Sequence, residues 1–252
     1  METATARTRP RGRRGRAAWA AAGAALLAVT AAAVGSVVAG AIGTSPVATV
    51  VEDWSRAPVG ARGVPDGWRK YETIGGSPAY DFEVVQDASR RALRMRSARD
   101  HSTIARDLSV DLAQTPVLEW TWRIRALPDG GDVRRRETSD LTAHLFVVWP
   151  RIPAMLRSRL IGYGWDATAP AGTVTRSRKT GTVTFVLLHS GREEMDRWIT
   201  EQRNVVEDYR RIYGEAPDNP GALALSIDSN DTRSSAEGLI GSIRFVAESP
   251  GR

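Results

Sequence analysis

"VLEWTWRIRAL", Val117–Leu127, decides the fold class of this chain. Leu118, Trp120, Trp122, Ile124 and Ala126 fall on every second position, with Glu119, Thr121, Arg123 and Arg125 between them. Successive side chains of a strand point to opposite faces, so this alternation specifies a half-buried strand with both tryptophans in the interior. "DLTAHLFVVW", Asp140–Trp149, repeats the pattern, with Leu141, Ala143, Leu145, Val147 and Trp149 opposite Asp140, Thr142 and His144.

Working outward, "YDFEVVQ", "RALRMRS", "STIARDL", "RLIGYGWD", "TVTFVLLHS", "GALALSID" and "LIGSIRFVA" have strand composition, most of them bounded by Gly, Pro, Asp or Ser. About nine strands, each with one wet face, predict an all-β fold: a jelly-roll-like antiparallel β-sandwich in a single domain over residues 52–248. One segment breaks the pattern. Met195, Trp198, Ile199, Gln202, Val205, Val206, Tyr209, Ile212 and Tyr213 recur at steps of three and four, which predicts one amphipathic helix of about four turns stopped by Gly214. On that helix Glu201, Asn204 and Asp208 would share a second, polar face.

The first 43 residues are of another kind. Six arginines precede Ala17–Gly43, an uncharged run of 27 residues rich in Ala and Gly. That is an export or anchoring segment, long enough to span a bilayer, with Ala39-Gly40-Ala41 offering a cleavage site. Cleaved signal peptide and uncleaved membrane anchor through residues 17–43 both remain open, and either places residue 44 onward outside the cytoplasm, periplasmic or extracellular. Residues 44–51 read as a linker to the domain.

Total charge taken alone would indicate a nucleic-acid partner, with 35 basic against 29 acidic side chains and a net charge of +6. The leader holds six of those arginines and only Glu2, which leaves 29 against 28 in the remainder. A polyanion binder needs its positive field on the folded part, so no nucleic-acid partner is expected. The chain has no cysteine, which excludes disulfides and thiol chemistry.

Chemistry is thinly signalled. The chain lacks a nucleophile elbow, a P-loop and a dinucleotide fingerprint, and His101, His144 and His189 are too scattered for a zinc triad. Asp228, Asn230 and Asp231 in "IDSNDT" offer oxygen ligands to a structural calcium ion, the alternative being an Asx-rich turn. No other cofactor is implied. Trp165, between glycines and beside Asp166, is the tryptophan best placed for exposure at a strand end, where it could stack on a sugar. Asp140, Asp166, Glu201, Asp208 and Asp228 could supply the carboxylate pair of a glycan hydrolase, though sequence gives no separations.

The ordered series "RALRMRSARDHSTIARDL", "PVLEWTWRI", "SDLTAHLFVVW", "IGYGWD", "WITEQRNVVEDYRRIYGEAP", "LALSIDSNDT" and "IGSIRF" resembles the bacterial domain of unknown function 3047 family over roughly Asp53–Phe245. That resemblance implies no activity. The family tends to carry paired acids where this chain has Ser139-Asp140, and an Arg where it has His144. The expected function is a non-enzymatic envelope module that binds a carbohydrate or other surface ligand through Asp140, Trp165, Asp166, Glu201, Arg203, Asn204 and Asp208. A hydrolase or lyase and a purely structural envelope protein are the alternatives.

Overall fold

A computed structural model of the chain describes residues 48–71 and 78–249, so the basic leader and its uncharged run lie outside the described residues. Among the described residues no helix is long and apolar enough to cross a membrane. Thr44–Arg252 forms one compact unit, and both of its apolar clusters are built from residues between Val51 and Phe245. The folded unit therefore carries a complete core of its own.

Among the described residues thirteen strands make two sheets. The first contains β1 (Ala48–Glu52), β3 (Asp81–Asp87), β4 (Arg90–Ala98), β6 (Val117–Ala126), β11 (Ile199–Asn204) and β13 (Ser235–Val246), in the order β11-β6-β13-β4-β3, with β1 also paired to β13. The second contains β2 (Arg69–Lys70), β5 (His101–Asp107), β7 (His144–Trp149), β8 (Arg159–Asp166), β9 (Val174–Arg176), β10 (Val183–Ser190) and β12 (Ala222–Asp228), in the order β2-β5-β12-β7-β8-β10-β9. All pairings are antiparallel except β8 with β10. That exception arises because the chain leaving β8 first makes β9 and then returns antiparallel to it as β10.

The β-sandwich predicted from alternation is therefore present. Leu118, Trp120, Trp122 and Ile124 of β6 face Leu145, Val147 and Trp149 of β7, Ile161, Tyr163 and Trp165 of β8 and Leu223, Leu225 and Ile227 of β12, and all of these are buried. Each such side chain contributes about 1.5–3 kcal/mol of transfer free energy.

Three expectations are corrected. The second sheet is not wet on its far face: Phe146, Val148, Leu160 and Phe185 form a further apolar cluster there. Gly162 makes room for it, since a Cβ at that position would lie 2.7 Å from Phe146 Cε1. The linker ends earlier than predicted, because Ala48–Glu52 pairs with the end of β13 as β1. The four-turn helix is really two elements. Ile199–Asn204 extends the first sheet by pairing with β6, and only Val205–Tyr213 is helical (α2, preceded by the four-residue α1, Ala154–Arg157). Asn204 caps α2 by accepting from the Val206 and Glu207 amides, and Gly214 closes it in the left-handed conformation.

Candidate functional site

The seven residues expected to bind ligand do not form one site. Asp140, fully buried, accepts from the Asp231 amide (3.1 Å), the Thr232 amide (2.6 Å) and Thr232 Oγ1 (2.7 Å), which fastens the β12–β13 turn to the segment before β7. Asp166, equally buried, accepts from the amides of Val133 (3.0 Å), Thr168 (2.8 Å) and Ala169 (2.7 Å). Burial raises the Asp166 pKa, and those amides offset only part of the effect. Both carboxylates hold loops and have no oxygen turned to solvent for a ligand.

Trp165 is enclosed rather than exposed. A register shift in β10 between Leu187 and His189 turns the His189 imidazole toward the core, where it stacks on the Trp165 indole at 4.4 Å. His189 bridges two carboxylates, Glu194 through Nδ1 (2.5 Å) and Glu201 through Nε2 (2.7 Å), and Glu201 also accepts from Trp122 Nε1 (3.0 Å). The Glu201 bond, then the Glu194 bond, raise the His189 pKa against the opposing effect of burial. With a carboxylate on each nitrogen, the ring is a clamp between β10 and β11.

Arg203 and Asp208 do meet. The Arg203 guanidinium forks onto Asp208, with Nε at 2.9 Å, and Asp208 also accepts from Tyr163 Oη (2.9 Å) and Arg211 Nη2 (3.0 Å). Asp208 is 3% exposed, and this knot fixes α2 to both sheets. Asn204, the seventh residue, is the helix cap already described.

The three residues expected to offer oxygen to a calcium ion are each engaged within the protein. Lys179 pairs with Asp231, the Asn230 amide donates to the same carboxylate (3.2 Å), and Asp228 accepts from the Leu141 amide. Among the described residues no group of three or more His, Asp or Glu side chains is arranged to hold a metal. Burial, followed by the charge of Asp140, pushes the Asp228 pKa up to about 8, from 3.8 for a free carboxylate. A carboxyl whose folded pKa lies above its unfolded one gives stability that is complete below about pH 3.8 and lost as pH rises through about 8. Asp228→Asn should therefore match wild type near pH 4 and gain on it steadily as pH rises, melting higher than wild type above pH 8. Parallel melting curves at every pH would refute that assignment.

The structure singles out another residue. Trp198 alone among the seven described tryptophans is not buried. Its indole lies on the outer face of the first sheet above Gly241, where a Cβ would come 2.2 Å from Thr121 Oγ1 and 3.4 Å from Trp198 Cζ3. Nε1 donates to Asp87 (2.7 Å), which also accepts from Arg123 (3.1 Å) and Arg125 (3.0 Å), and the exposed Arg90 guanidinium stands 5.6 Å over the ring. Burial would raise the Asp87 pKa, but the bonds from Trp198 and Arg123 outweigh it and hold the carboxylate ionised. This patch is an aromatic plate rimmed by charges of both signs. Sequence reasoning missed it because Trp198 fitted the apolar stripe of a longer helix, and Asp87 lies 111 positions away.

A family model described as "Protein of unknown function (DUF3047)" matches residues 66–244, well over half of the chain. The chain belongs to this family. No curated protein matches it. Among solved structures, this DUF3047 chain is similar to the family 11 carbohydrate-binding module from Clostridium thermocellum in complex with a β-1,3-1,4-mixed-linked tetrasaccharide, at 9% identity and TM-score 0.43, covering 79% of this chain and 95% of that one. The xyloglucanase domain of NopAA, a type three effector from Sinorhizobium fredii, follows at 9% identity and TM-score 0.41, covering 72% and 93%. At such identities and TM-scores these likenesses decide nothing about this DUF3047 chain, and the case for a ligand rests on its own residues.

Proposed function

We propose that the folded unit is a non-catalytic carbohydrate-binding module acting outside the cytoplasm, with the sugar ring stacked on Trp198. The observation that carries this reading is the placement of that indole: partly exposed on the outer face of the first sheet and bordered by Asp87, Arg90 and Arg123. The apolar face of a pyranose matches such a plate, and its hydroxyls match a rim of donors and acceptors. Export is supported by the basic leader and the uncharged run that follows it.

Hydrolysis is less well supported. It requires two carboxylates facing one scissile bond, whereas Asp140, Asp166, Asp208 and Glu201 are all engaged by internal donors. In a glycan array followed by calorimetry on the best hit, Trp198→Ala should weaken binding at least about 10-fold, the scale expected for an aromatic hot spot. The same variant should still melt cooperatively. Absence of any glycan hit, or a hit indifferent to Trp198→Ala, would eliminate the reading.

A further inference from the structure

The loop between β7 and β8, with "RIPAMLRS", Arg151–Ser158, has no part in the Trp198 patch, which lies on the other sheet. It carries the two most exposed large apolar residues described, Ile152 at 88% and Leu156 at 80%. Ile152 lies just before the single helical turn α1 and Leu156 lies within it, so one short loop exposes two aliphatic side chains to solvent. An isolated exposed leucine is ordinary, but two protruding from a single tight loop form a patch that water does not favour.

Leu156 itself lines the rim of a cavity of about 530 Å3, together with Arg151, Arg157, Arg159, Arg176 and Glu215. Its charges do not balance. Arg151 is held in a two-point pair by Asp218, and Arg159 pairs with Glu215. Arg157 donates only to the Ile152 carbonyl (3.3 Å), and Arg176 has no anionic partner among the described residues. Two arginines thus remain for an external anion beside these two aliphatic side chains.

We propose that this loop docks the folded unit onto an anionic lipid bilayer, with Ile152 and Leu156 entering the interface while Arg157 and Arg176 meet lipid phosphates. The two halves of the patch select that occupant together. A soluble polyanion would satisfy the arginines but leave both aliphatic side chains in water, whereas a bilayer takes up both, apolar below the headgroups and cationic at their level. The geometry is that of a peripheral contact with no spanning element.

The test uses the Thr44–Arg252 unit, whose core is complete, in co-sedimentation with vesicles of phosphatidylcholine alone or mixed with phosphatidylglycerol. The unit should pellet with the mixed vesicles, stay in solution with phosphatidylcholine alone, and be released when salt rises from about 0.1 M to about 0.5 M. Ile152→Ser with Leu156→Ser should weaken binding roughly 100-fold, since each buried aliphatic side chain is worth about a factor of ten or more. Arg157→Gln with Arg176→Gln should weaken it about 25-fold, about fivefold for each charge. All four residues are exposed, so unchanged melting should accompany both losses. Failure to pellet with phosphatidylglycerol, or pelleting that survives the Ile152→Ser/Leu156→Ser pair, overturns the proposal. Trp198→Ala should pellet like wild type, which keeps this result separate from the sugar reading.

Discussion

Asp208→Ala should destabilise the folded unit by about 3–5 kcal/mol, the range measured when one partner of a buried ion pair is removed. Asp208 is 3% exposed and receives four donors, from Arg203 twice, Arg211 and Tyr163. Alanine would leave the Arg203 guanidinium without its counter-charge and the fully buried Tyr163 hydroxyl without an acceptor. The Tyr163 hydroxyl lies where water does not reach it and carries the full desolvation penalty, whereas the Arg203 side chain, 29% exposed, recovers part of its hydration. For a unit of this size the melting temperature should fall by about 10 °C or more. Asp208→Asn keeps an acceptor and should lose less. Joining Asp208→Ala to Arg203→Met should recover part of the loss, because apolar replacement of a whole buried pair is often near neutral. A single Asp208→Ala variant melting within about 2 °C of wild type would show that the knot is dispensable.

The particular residues that sequence did and did not place share one physical cause. Alternation is local, and wherever one strand face packs on the core the pattern is written into adjacent residues, as in β6 and β7. Trp120 and Trp122 were legible as core on that basis alone. β11 was misread because "ITEQRN" alternates weakly while its residues also fit the helical stripe that runs on into α2. A local signal for the boundary did exist: Asn204 followed by Glu207 and Asp208 is a cap with acids in the first turn. Trp165 was misplaced for a reason sequence does not carry. Its cover, His189, is turned over it by a register shift in another strand. Whether a carboxylate oxygen such as that of Asp140 faces a ligand or a loop amide depends on contacts such as that with Thr232, 92 positions apart, which no local pattern carries.

The same long-range logic makes Trp122 the most consequential single side chain in the interior. It is fully buried, lies edge-on to Trp120 at 5.6 Å, Trp165 at 6.0 Å and His189 at 6.0 Å, and donates to Glu201. Through that bond the apolar core reaches β11, which is an edge strand with β6 as its one partner in the sheet. Trp122→Ala should cost about 3–5 kcal/mol, combining the lost transfer energy with a cavity bounded by rings too rigid to collapse into it. Trp122→Phe keeps most of the apolar volume and removes the indole donor, so its cost should be about 1–2 kcal/mol.

The share of that smaller loss carried by the Glu201 bond can be isolated in a cycle with Glu201→Ala, where the double variant should lose about 1 kcal/mol less than the two singles added. Glu201→Gln, which keeps an acceptor but not the charge, weakens the largest cause of the raised His189 pKa. A histidine raised on folding gives stability that is complete below about pH 6.5 and lost as pH rises through its folded value. Wild type should thus lose stability above that point, and Glu201→Gln should flatten the slope there. If Trp122→Ala melted close to wild type, or the two singles simply added, β11 would be held by its backbone pairing with β6 alone, and the clamp of Trp122, Glu201 and His189 would have no energetic role.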